Sequence, residues 1–145
     1  MLRDIAPNSF APLTAVFKRG RFKEELNAEL FLGSDLLCCV KLFLGRPPYY
    51  TPWAEVFHFN PAYLETEWER HVYCVLSRYM EPGDVLYAEY VEDRETFAAL
   101  QRGAAPGETR LGKLLEQCGF KVVRDWYYPE GWLEGGMKLQ AVKLR

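Results

Sequence analysis

Four apolar runs separated by short breaks precede the first helical repeat in this chain. That spacing constrains the fold most. Parallel neighbours need a crossover of about a dozen residues or more, so strands this close in sequence pair as an antiparallel meander. The runs cover residues 15–22, 26–32, 36–44 and 53–59. Gly33-Ser34-Asp35 is a turn cluster, and Gly45-Arg46-Pro47-Pro48 breaks the third run from the fourth. The third run, LLCCVKLFL, is apolar enough for a central strand.

The period then changes from two to about 3.6. Asn60-Pro61 reads as a helix start, with Asn as cap and Pro at the first helical position. Leu64, Trp68, Val72, Val75, Leu76 and Tyr79 follow at spacings of three and four, which predicts a helix to about Met80. Residues 85–91 read as a buried strand, and Asp93 as the cap of a short helix through Leu100. Leu111, Leu114, Leu115 and Cys118 define a further helix, with Gly119 placed for a left-handed end. Residues 121–128 and 137–144 close the chain as a hairpin. The order β-β-β-β-α-β-α-α-β-β predicts one α+β domain over residues 1–145, with helices packed on a mixed, mostly antiparallel sheet.

Composition narrows the class. A chain of 145 residues, 49% hydrophobic and 26% charged, can bury one core. Its net charge of −2 lacks the basic excess of a nucleic-acid binder. No run of about 18 uncharged apolar residues exists for a membrane helix. The N-terminus has no continuous apolar stretch like that of a signal peptide, so the expected location is cytoplasmic. The four cysteines, Cys38, Cys39, Cys74 and Cys118, show neither C-x-x-C nor zinc-ligand spacing. They read as buried reduced thiols, and no metal is expected. A Cys74–Cys118 pair is the alternative in a thermophile cytosol.

Several residues stand out chemically. Glu89 lies inside an apolar strand, where a carboxylate needs a partner or a raised pKa. It is either a base or half of an ion pair with Arg94, Arg110 or Arg124. His58, at a strand end, is either a proton acceptor or a hydrogen-bonded terminal residue. His71, among charges in the long helix, reads as solvent-facing. Trp126, Glu130, Trp132 and Glu134 belong to a segment of aromatics, acids and glycines that suits a cationic or planar ligand, a cap on the core, or a dimer interface. Arg110 opens a helix where an anion could bind, or where a cap simply ends the loop.

The element order resembles that of the GNAT superfamily of N-acetyltransferases. Leu114-Leu115-Glu116-Gln117-Cys118-Gly119-Phe120 followed by Lys121-Val122-Val123 is similar to the family's closing helix, Gly-Phe step and next strand. Met137-Lys138-Leu139-Gln140 resembles its last strand. Within that clan, Thr109–Gly112, Asp125–Trp132 and Glu134–Gln140 resemble a group of small uncharacterised domains. The resemblance implies a GNAT-like fold with its N-terminal helices reduced, acetyl-CoA as donor and a small amine as acceptor. It gives acid–base roles to Glu89, His58 and Tyr128, and donor binding to backbone amides of Ala62, Tyr63 and Leu64. The family's glycine-rich phosphate loop belongs at Phe57–Tyr63, which here holds no glycine. Leu115 stands where the family often carries a tyrosine acid. The alternative function is a non-catalytic ligand-binding or homodimeric domain using the Trp126–Trp132 loop.

Overall fold

A computed structural model describes residues 1–45, 51–128 and 133–145. Its strands are β1 (Thr14–Arg19), β2 (Glu25–Leu32), β3 (Asp35–Phe43), β4 (Trp53–Phe57), β5 (Val85–Glu89), β6 (Phe120–Tyr128) and β7 (Gly136–Lys143). Its helices are α1 (Glu67–Tyr79), α2 (Arg94–Gln101) and α3 (Arg110–Gln117). The fold is mixed α+β, in the order predicted. One seven-stranded sheet runs β1-β2-β3-β4-β5-β7-β6. β1 to β4 form the expected antiparallel meander. β5 returns beside β4 in parallel, because α1 supplies a long crossover. β7 lies between β5 and β6 and is antiparallel to both.

Alternation along the strands divides the sheet into two unlike faces. Ala28, Leu30, Val40, Leu42, Ala54, Val56, Leu86, Ala88, Leu139 and Ala141 are buried on one of them. α1 covers that face with Val72, Tyr73, Val75 and Leu76, and α3 adds Leu111 and Leu115. Each valine or leucine among them contributes about 1.5–3 kcal/mol on leaving water. Ahead of β1 there are two short 3-10 turns, Leu2–Asp4 and Pro7–Phe10, which send Leu2 and Phe10 into the same core. A tight turn alone joins β1 to β2, with Gly20 N–H donating to the Glu25 carbonyl over 2.9 Å. The N-terminal part is thus reduced, as the resemblance implied.

Three local expectations need correction. The helix predicted from Asn60 starts later. Asn60 and Pro61 open a 3-10 turn, Pro61–Tyr63, and Glu65 then takes a left-handed φ of 62° that interrupts the helix. Thr66 is the cap of α1, its hydroxyl accepting from Trp68 N–H over 3.3 Å. His71 is half-buried rather than solvent-facing. Its Nε2 lies 3.1 Å from the Phe10 carbonyl oxygen and ties the N-terminal turn to α1. Cys74 and Cys118 form a disulfide, so the reduced-thiol reading holds only for Cys38 and Cys39. The end of α3 packs against the middle of α1 and brings the two Cα atoms to 4.9 Å, within disulfide reach. Gly119 ends α3 with φ 97°, as its position predicted.

No helix among the described residues is long and apolar enough to cross a membrane.

Candidate functional site

β4 and β5 pair only from Trp53–Val85 to Val56–Ala88. Beyond that point the two chains part. His58 adopts φ 52°, and Asn60 is drawn back toward β3: its N–H donates to the Leu37 carbonyl over 2.8 Å and its amide to the Leu36 carbonyl over 3.1 Å. The end of β5 is left facing a gap. Glu89 occupies it, with Oε1 accepting from His58 N–H over 3.3 Å. On the helix side the gap opens to a cavity of about 10 Å³, room for one water molecule. Phe59, Leu64, Tyr73 and Leu111 form its apolar walls, and Glu69, Glu89, Glu92 and Asp93 its polar ones.

The opposite face of the sheet carries charge that is itself buried. Lys41, Glu55, Tyr87 and Gln140 stand in one cross-strand row, and Lys138 pairs with Glu89 in the next. Lys138 and Glu55 are both fully buried, with Lys138 Nζ 2.6 Å from Glu55 Oε2. The same ammonium lies 3.5 Å from Glu89 Oε2. Glu134 N–H donates to both Glu55 oxygens over 3.1 Å. The Glu134 carboxylate is 3.5 Å from Lys41 Nζ, which also lies 3.3 Å from Glu25. Burial pushes the Glu55 carboxyl above its ordinary range, and Lys138 draws it back. Beside this network, Phe43 and Trp53 stack at 5.5 Å, and Trp53 meets Tyr87 edge-on at 6.0 Å.

Cys39 lies on this face too. Burial first, and then Glu29, Glu134 and Glu89, push its thiol up to about 11. At pH 8 about one Cys39 in a thousand is then thiolate. Alkylation of native Cys39 by iodoacetamide at pH 8 is therefore expected to run about 100-fold slower than in the unfolded chain. It should accelerate with pH up to about 11. Mass-spectrometric labelling rates check this, and equal rates in the two states would refute it.

A second charged centre joins the three helices. Arg110 Nη1 and Nη2 grip Glu69 over 2.7 and 2.9 Å, and Nη2 reaches Asp93 Oδ2 over 2.7 Å. Glu69 and Asp93 are buried. Asp93 has two tasks, since its Oδ1 also caps α2 by accepting from Thr96 N–H over 3.1 Å. Burial works against the charge on Arg110, but its hydrogen bonds to Glu69 and Asp93 outweigh that and raise its pKa. Outside this centre lies an open groove of about 410 Å³ between the start of α1 and α3, lined by Glu67, Arg70, Lys113 and Gln117 among others.

The structure thus distributes the residues singled out by sequence. Glu89 stands at the gap, and its cationic partner is Lys138 rather than an arginine. His58 meets Glu89 through its backbone, while its exposed ring contacts Phe57 at 4.9 Å. The amides of Ala62, Tyr63 and Leu64 are used within their own turn, donating to Asn60 Oδ1, the Asn60 carbonyl and the Pro61 carbonyl. Arg110 binds two buried carboxylates. Glu134 joins the network through its backbone N–H and its carboxylate. Trp126 is part-exposed on β6, with the Arg124 guanidinium over its ring. Glu130, Trp132 and the side chain of Tyr128 lie outside the described residues. Sequence reasoning missed Glu55, Lys138, Lys41 and Glu69. The signal was present for the first three: each is a lone charge within an apolar strand run.

The sheet order, the parting of its parallel strands and the partly buried acid there define an α+β domain built around a carboxylate-lined opening. The chain belongs to the family described as Protein of unknown function (DUF1122), which matches residues 8–145. It is similar to the protein of unknown function AQ1966 from Aquifex aeolicus VF5, with 45% identity and a TM-score of 0.78, over 90% of this chain and 70% of that one. Two Vibrio cholerae spermidine N-acetyltransferase structures are more distantly similar, both at 13% identity. One is a chimera with hSSAT, with a TM-score of 0.47 over 83% of this chain and 68% of that one. The other is a complex with CoA and spermine, with a TM-score of 0.45 over 82% of this chain and 64% of that one. No curated protein matches the chain.

Proposed function

We propose that this domain is an acyl-CoA-dependent N-acyltransferase acting on a small amine. The observation that carries the reading is Glu89, a carboxylate held at the opening between parted parallel strands, beside a cavity that shares Glu69 with a cation-bearing groove. In such a transfer the amine nitrogen attacks the acyl carbon. A C–N bond forms, a C–S bond breaks, and a base takes the amine proton. Glu89 is the group at the gap suited to that proton. Acyl-CoA, when bound, supplies the thioester carbonyl. Because the amides of Ala62, Tyr63 and Leu64 are internally bonded, its phosphates fall to Arg70, Lys113 and the N-terminus of α1. Glu65 and Glu67 line the same groove and oppose them, and the two cations match those two charges.

The test is thermal unfolding with and without millimolar acetyl-CoA, using desulfo-CoA and adenosine as controls. A donor at about 100 times its Kd stabilises the native state by about 2.7 kcal/mol, so a rise of several degrees is expected. Glu89→Gln should keep that rise and lower turnover about 100-fold. An unmoved midpoint at saturating donor would remove acyl-CoA from the reading.

One observation favours a second role, binding or homodimeric assembly. β6 is an edge strand with Val123, Trp126 and Tyr127 exposed, a surface suited to a partner. Sedimentation of the wild type and Trp126→Ala distinguishes this role, which requires a dimer that the substitution weakens.

A further inference from the structure

Resting on the acyl-transfer reading of Glu89, we propose that Lys138 and Glu55 are positioning residues that set the basicity of Glu89 by competition for one buried ammonium. Lys138 has no exposed surface, and two carboxylates share it. The sharing is unequal. Glu55 takes the short contact, 2.6 Å, and also accepts from Glu134 N–H through both oxygens. Glu89 is left with the long contact, 3.5 Å, and with His58 N–H at 3.3 Å. Coulomb attraction and hydrogen-bond strength both fall over that difference. Glu55 therefore keeps most of the compensation, and Glu89 carries a charge only partly matched.

An under-compensated carboxylate is the better proton acceptor. When Glu89 takes a proton from the amine, the N–H bond breaks and an O–H bond forms. The electron pair stays on nitrogen for attack on the carbonyl carbon. One ammonium then faces one carboxylate, and the excess buried negative charge is gone. A full, close pairing of Glu89 with Lys138 would hold the proton off.

The other charges around Glu89 do not reverse this. Glu69 and Tyr73 from α1, and Glu92 and Asp93 from the turn after β5, line the cavity with it on the helix side. Arg110 already holds Glu69 and Asp93. Cys39 on β3 is largely a neutral thiol below its pKa of about 11. The Glu134 carboxylate is turned to Lys41, and the His58 ring is exposed. Glu92 acts with the same sign whichever residue is replaced.

The experiment is a carboxyl 13C NMR titration of the full chain, with Glu89 assigned through Glu89→Gln. Glu55→Gln frees Lys138 for Glu89 and should lower the Glu89 midpoint by about one pH unit. Lys138→Met should raise it by about one unit. Opposite shifts are a signature that general loosening of the fold does not give. Shifts in the same direction, or an unmoved midpoint in either folded variant, would overturn the proposal. Should Lys138→Met fail to fold, Glu55→Gln decides alone by the same criterion. Acyl-transfer assays run in parallel, where the acid limb of kcat/KM should follow the NMR midpoint. Absence of transfer in the wild type would remove the acyltransferase reading, while the titration still decides the competition for Lys138.

Discussion

Arg110→Ala is expected to lower the unfolding free energy by about 3–5 kcal/mol. The reason lies in what it leaves behind. Glu69 is 2% exposed and Asp93 5%, and Arg110 is their common cationic partner in the triad. A buried carboxylate stripped of its partner must stay charged in a poor solvent or take up a proton, and both cost stability. The loss also spreads. Asp93 caps α2 and Glu69 accepts from Glu65 N–H over 3.1 Å at the start of α1, so the substitution disturbs two helix ends at once. A domain of ordinary stability has about 5–15 kcal/mol in total, so a third or more is at stake. Urea denaturation measures it. Arg110→Lys should fall between, because an ammonium keeps the charge but not the forked grip on two acids. The triple change Arg110→Met, Glu69→Gln, Asp93→Asn should recover much of the loss, since the unpaired charge goes with the pair. A single substitution that cost less than about 1 kcal/mol would mean that water reaches the triad and screens it.

Reduction of the Cys74–Cys118 disulfide is the second large effect expected. The bridge joins positions 44 residues apart and so closes a long loop in the unfolded chain. Loop-closure entropy for that length is about 4 kcal/mol, with measured disulfides commonly giving about 2–4. For a domain of this size the midpoint should drop on the order of 10 °C in reductant. The Cys74→Ala, Cys118→Ala variant should melt at the lowered temperature with or without reductant. Identical melting of wild type in both conditions would mean that the thiols are reduced in the native protein. Cys38 and Cys39 give an internal control, since neither is bridged.

The fold was legible to a large extent, and particular residues show why. The runs around LLCCVKLFL and WAEVF alternate or saturate with apolar residues at strand spacing, and the breaks between them are too short for crossovers. Gly119 marked the end of α3 because only a residue without a Cβ adopts its backbone cheaply. The start of α1 was not legible. Asn60-Pro61 is a sound cap sequence, and it does cap a turn, but Glu65 interrupts it and Thr66 restarts it. A local signal cannot say whether one turn continues into the next when Asn60 is also tied to β3.

The candidate site divides in the same way. Glu89 was conspicuous as a carboxylate in an apolar strand, and that reasoning depends only on its neighbours in sequence. Its partner was not. Lys138 stands 49 residues away and meets Glu89 because β7 inserts between β5 and β6, an order that no local pattern encodes. Arg110, Glu69 and Asp93 likewise come from three separate segments whose helices converge. Cys74 and Cys118 could be counted in the sequence, but their pairing depends on α3 ending against the middle of α1.

By itself, then, the sequence determined the kinds and order of the elements and pointed to one charge within an apolar strand, Glu89, because these follow from periodicity and nearest neighbours. Tertiary structure decided which charges meet, which cysteines join and where the sheet opens, because those depend on distances between segments far apart in the chain.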